Sequence, residues 1–158
     1  MHRDLALTLR QVLRHSVYVA AAFVLAACGD PPKADPENEA QVAQGLRVYT
    51  ANCASCHGVK LEGQPNWRDR LATGRLPAPP HDPSGHTWHH ADDLLFSITK
   101  NGMAPHAPPD YNSDMPAFGA RLSDADIWAV LAYIKSTWPE TTREAQAAVT
   151  REEARGRK

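Results

Sequence analysis

The sequence predicts an all-α domain, and three observations carry that prediction. Apolar residues recur at helical spacing in three segments, each bounded by capping or breaking residues. No segment alternates apolar and polar residues as a half-buried strand would. The helical segments are separated by long stretches dense in proline and glycine.

Residues 1–27 read as a secretory signal peptide: Arg3, Arg10 and Arg14 precede an uncharged run from Val17 to Leu25, and small residues follow. That run is too short for a permanent membrane span of roughly 20 residues. Residues 28–38 follow as a flexible linker, in which Gly29 to Asp35 are polar and proline-rich.

The domain proper occupies residues 39–138. Its first helix is predicted from Pro36 to Asn52, with Asp35 as N-cap, Pro36 at the first helical position, and Val42, Leu46, Tyr49 and Cys53 along one face. His57 to His90 shows little periodicity and reads as one long loop, of a length that wrapping a large prosthetic group would explain. A second helix covers Ala91 to Asn101, with Asp92 and Asp93 near its positive end, Leu94, Leu95 and Ile98 as apolar anchors, and Gly102 just beyond it. Another irregular stretch runs from Met103 to Gly119. The clearest helix starts at Ser123, with Asp126 completing a capping-box pattern and Ile127, Val130, Leu131 and Ile134 lining one face. It ends near Trp138, because Pro139 disfavours helical geometry in the residue before it. Residues 139–158 form a charged tail, either helical or disordered, with too little apolar surface to fold alone.

Charge excludes one class of partner. Seventeen basic and 18 acidic residues give a formal net charge of -1, with no basic field of the kind nucleic acid requires.

The chemistry lies in Cys53-Ala54-Ser55-Cys56-His57. Two thiols three residues apart at a helix end can reach one edge of a planar macrocycle, and the adjacent imidazole can swing beneath it to an iron; C-x-x-C-H is the attachment pattern of c-type haem. Two other readings use the same residues. A thioredoxin-like redox pair needs a strand before the motif and a helix after it, whereas here the motif closes a helix. A structural zinc site needs two further ligands, and no further cysteine is available in the domain.

With that motif in place, the segment Glu39 to Trp138 resembles the class I cytochrome c family. Gly45 and Tyr49 match its small-plus-aromatic positions, and Leu131-Ala132-Tyr133-Ile134-Lys135 looks like its C-terminal helix signature. The resemblance implies a cytochrome c fold in which N- and C-terminal helices cross around one covalent haem c, with Cys53 and Cys56 as its attachment points and His57 as proximal ligand. It implies Met115, 58 residues after His57 in Asp114-Met115-Pro116, as distal ligand, with Met103 and His106 as rivals. A thioether favours reduced iron, which suits electron transfer. The resemblance also implies a proline carbonyl behind His57, for which Pro65 is the nearest match; Trp67, Arg68 and Arg70 follow as candidates for the haem propionates.

Leu25-Ala26-Ala27-Cys28 resembles the lipobox of bacterial lipoproteins, which implies cleavage before Cys28, its lipidation, and a tether to the inner or outer membrane on the periplasmic side. All three cysteines are then assigned. Four histidines, His81, His86, His89 and His90, raise the question of copper or zinc at His81, His86 and His90; packing beside the haem is the preferred reading, and a second metal is not expected. The expected function is a one-electron carrier serving redox partner proteins outside the cytoplasmic membrane. A redox or gas sensor and a haem subunit of an oxidoreductase stand as alternatives.

Overall fold

The structure is a computed structural model that describes residues 33–109 and 111–156. The predicted signal peptide and Cys28 lie outside them. Among the described residues five helices follow one another: α1 (Glu39–Asn52), a single turn α2 (Ala54–His57), α3 (Asp92–Asn101), α4 (Asp124–Ser136) and α5 (Glu140–Gly156), with short 3₁₀ turns at Thr87–His89 and Ala104–His106. There is no strand among the described residues.

α1 begins three residues later than the sequence suggests. Asp35 spends its carboxylate on the Glu37 amide at 3.0 Å, forming a local turn, and Asn38 caps the helix instead by accepting from the Gln41 amide at 3.0 Å. Ala34 is buried in the core beside Leu95, Ile127 and Leu131, and Lys33 pairs with Asp93 at 2.8 Å.

α1 packs on α4 through Gly45, where a β-carbon would overlap the Ala129 carbonyl and come within 2.7 Å of the Tyr133 Cβ. Tyr49, one turn on, is fully buried; its ring meets Tyr133 at 5.4 Å, and its hydroxyl donates to the Gly58 carbonyl at 2.8 Å. The buried side of α1 is therefore Gly45 and Tyr49, flanked by half-buried Val42, while Leu46 turns out to be about half exposed. α4 carries the complete Ser123/Asp126 capping box and buries Ile127, Val130, Leu131 and Ile134 as its periodicity predicts.

The charged tail is a helix fixed by polar contacts. Gln146, with no exposed surface, donates from Nε2 to Asp92 Oδ1 at 2.7 Å and to the His90 carbonyl at 3.1 Å, and Thr150 accepts from the Asp92 amide at 3.1 Å. Asp92 also takes two bonds from the nearly buried Lys135 ammonium, at 2.9 and 3.0 Å, and a third goes to the Ala34 carbonyl at 3.4 Å. Removing one member of such a buried pair strands the other charge and costs about 3–5 kcal/mol. One network thus ties α3, α4 and α5 together.

At the α1–α4 crossing the two backbones are in close contact. Gly45→Ala is expected to lower stability by about 1–3 kcal/mol, since two backbones must separate to admit a methyl group. Chemical denaturation followed by circular dichroism measures the loss.

Candidate functional site

The motif sits where α1 runs out. Cys53 closes α1, its amide donating to the Tyr49 carbonyl at 2.8 Å, and its own carbonyl then accepts from the Cys56 and His57 amides at 3.1 and 2.9 Å. This one-turn α2 ends at Gly58, whose positive φ of 82° turns the chain away. Because α1 is pinned by Gly45 and Tyr49, the three motif side chains inherit a fixed position.

Both thiols are free, Cys53 half-buried and Cys56 exposed. Burial, reinforced by the neighbouring Cys56, pushes the Cys53 thiol up to about 11. Burial thus acts on Cys53 in the direction opposite to the activation of a redox nucleophile.

His57 is buried, and its Nδ1 lies 2.8 Å from the Pro79 carbonyl oxygen. A carbonyl can only accept, so Nδ1 carries the proton and Nε2 of the neutral ring keeps its lone pair. Burial lowers the His57 pKa below the ordinary histidine value, outweighing the opposing pull of the Pro79 bond. The ring is thus held neutral and oriented, the form of imidazole that a metal takes as a ligand. The carbonyl belongs to Pro79 rather than Pro65, which is exposed. Sequence proximity favoured Pro65, but the chain returns to His57 only after a 22-residue excursion.

Two glycines permit that return. A β-carbon on Gly63 would strike the Pro80 nitrogen, and one on Gly85 would strike the Pro80 carbonyl. Gly63 also donates to the His57 carbonyl at 2.8 Å. The Pro79-Pro80 segment is therefore threaded between two glycines beneath the motif, a pattern in which the glycines are the sequence signal.

The four histidines do not converge. His81 stacks on His57, ring centroids 4.0 Å apart, and its Nδ1 meets Thr87 Oγ1 at 2.8 Å. His86 stacks on Trp67 at 5.3 Å and stands edge-on to His90 at 5.4 Å, while His89 stacks on Trp88 at 3.7 Å. Among the described residues no three His, Cys, Asp or Glu side chains are grouped to hold a metal ion. Arg68 lies over the Trp67 ring, and Arg70 donates to the Gly74 carbonyl.

Met115 is half-buried in the loop before α4, its amide donating to Ser113 Oγ at 3.1 Å. Beyond it the loop is stitched to the end of α3, with Phe118 and Gly119 amides donating to the Thr99 and Lys100 carbonyls at 3.0 and 2.9 Å. Asp114 forms an ion pair with Arg75, joining this loop to the one beneath His57. Met103 is also half-buried, at the Ala104–His106 turn, whereas His106 is exposed and bonded to Ser97 at 2.9 Å.

The donor set of two free thiols, a neutral imidazole with an available Nε2 and a half-buried thioether fits a covalently attached haem.

Comparison with known proteins agrees with this chemistry. The family model for cytochrome c matches residues 42–138. The chain is 31% identical to a cytochrome c6 from Synechococcus sp. over 63% of its own length and 72% of that protein. It is 33% identical to cytochrome c-555 of Prosthecochloris aestuarii over 44% of this chain and 76% of that one. It is also 34% identical to a Cbb3-type cytochrome c oxidase subunit CcoP from Azospirillum sp., over 60% of this chain but only 28% of that longer protein. No solved structure matches.

Attachment through both thiols has a direct test. Replacing either Cys53 or Cys56 with Ala should leave haem bound by one thioether, with a red-shifted pyridine haemochrome band, and replacing both should leave haem that acid-acetone extracts.

Proposed function

The chain belongs to the cytochrome c family, and on that premise we propose that it is a membrane-anchored one-electron carrier on the periplasmic side, with His57 and Met115 as the axial ligands of its haem iron. The family binds one covalently attached haem c, which supplies the one-electron couple. Cys53 and Cys56 would hold it by thioethers.

The observation that carries this reading is His57: buried, neutral, and bonded through Nδ1 to Pro79 so that Nε2 is presented for ligation. Met115 is favoured over Met103 because its loop is held at both ends, by the Arg75–Asp114 pair before it and by the α3 carbonyls after it. A ligand loop fastened in this way keeps the sixth position filled, which suits a carrier and leaves no open site for oxygen or peroxide chemistry. His106, bonded to Ser97 on the exposed side of α3, is committed elsewhere.

Anchoring rests on Cys28 in its lipobox-like setting. Among the described residues no helix is long and apolar enough to cross a membrane, so a lipid at Cys28 would be the tether. Redox proteins outside the cytoplasmic membrane would be the partners. Likeness to part of an oxidase subunit supports a second reading, in which the same haem domain serves within an oxidoreductase complex.

The ligand assignment is checked by near-infrared absorption of the ferric protein. Met115→Ala is expected to abolish the weak sulfur-to-iron band and lower the potential, with Met103→Ala retaining both. A band that survives Met115→Ala and disappears with Met103→Ala reverses the assignment.

A further inference from the structure

The proximal histidine is gripped twice by one short segment. Pro79 holds it within the ring plane through the Nδ1 bond, and His81, two residues later, lies against the ring face at 4.0 Å with 24° between planes. A single hydrogen bond along the ring plane leaves the imidazole free to rock about the N–H···O line. A flat surface on one face removes that freedom.

His81 is itself fixed from four directions. Its amide donates to the Leu61 carbonyl at 2.8 Å, and its carbonyl accepts from Trp138 Nε1 at 2.7 Å. Nδ1 pairs with the hydroxyl of buried Thr87 at 2.8 Å, and the Tyr49 ring meets it edge-on at 6.3 Å. A residue serving only to fill space would need none of these. An aliphatic side chain of similar volume would neither reach Thr87 nor offer a plane.

We infer that His81 is a positioning residue for His57, fixing the rotational setting of the proximal imidazole and covering one of its faces. This rests on the reading of His57 as an iron ligand and is independent of the identity of the distal one. The orientation of an axial imidazole sets the asymmetry of electron spin on a ferric haem. Cover on the proximal side limits water, which favours the more charged oxidised state, so the potential depends on it too. His81 thereby influences the site without touching the iron.

The test uses purified holo-protein, reading the spread of haem-methyl resonances in the ferric NMR spectrum together with the reduction potential. His81→Ala is expected to change the methyl spread and lower the potential, and His81→Phe, which keeps a ring against His57, is expected to restore the spread. Thr87→Val, which removes only the hydroxyl tether, should move the spread in the same direction as His81→Ala by a smaller amount and keeps the question answerable if His81→Ala does not fold. Unchanged spread and potential in a folded His81→Ala protein, or a His81→Phe protein indistinguishable from it, overturns the inference. A ferric wild-type spectrum without the low-spin signature of histidine ligation instead overturns the reading of His57 itself.

Discussion

The crossing of α1 over α4 at Gly45 leaves no room for a single additional carbon atom, and most of the site follows from that constraint. With the two backbones this close, Tyr49 is trapped against Tyr133 and its hydroxyl reaches the Gly58 carbonyl, just past the motif. The end of α1 therefore cannot swing, and Cys53, Cys56 and His57 project from a rigid stump. Precision of this kind is easier to build on a helix end braced at two points than on a loop. A one-electron carrier gains from it, because little rearrangement then accompanies the change of iron charge.

Around this brace the loops do work that secondary structure does elsewhere. The segment 58–86 makes few regular hydrogen bonds, yet it returns under His57 to deliver the Pro79 carbonyl and the His81 ring, with Gly63 and Gly85 clearing the way. The segment carrying Met115 is attached to the end of α3 and to Arg75. On the far side, the Asp92–Lys135–Gln146 network fastens α5 to α3 and α4. Such a network holds well only when nearly every member is paired; among the described residues, Gln146 Oε1 is the buried side-chain atom left without a hydrogen-bond partner.

Much of this was legible in the residues. Helical periodicity, the Ser123/Asp126 box, Gly102 after α3 and the C-x-x-C-H motif are local signals, and each corresponds to a feature the chain adopts. What escaped was non-local or polar. Pro79 lies 22 residues from His57 in a stretch without periodicity, so proximity pointed to Pro65; the paired glycines marked a close backbone approach but not its partner. Asp35 looked like a helix cap until its carboxylate was engaged by Glu37. α5 has no apolar stripe to announce its docking, because a buried glutamine fixes it. Packing was the preferred reading of the histidines, but their individual ring partners, Trp67 for His86 and Trp88 for His89, could not be read from spacing.

The proposed function requires a closed, six-coordinate haem held between His57 and Met115. Exposure of the ferrous holo-protein to carbon monoxide tests it most directly. The reduced spectrum is expected to persist, with carbon monoxide binding slowly and weakly because the Met115 loop keeps its place. Rapid, tight conversion to a carbon monoxide complex would contradict it and point to a sensor or a haem enzyme.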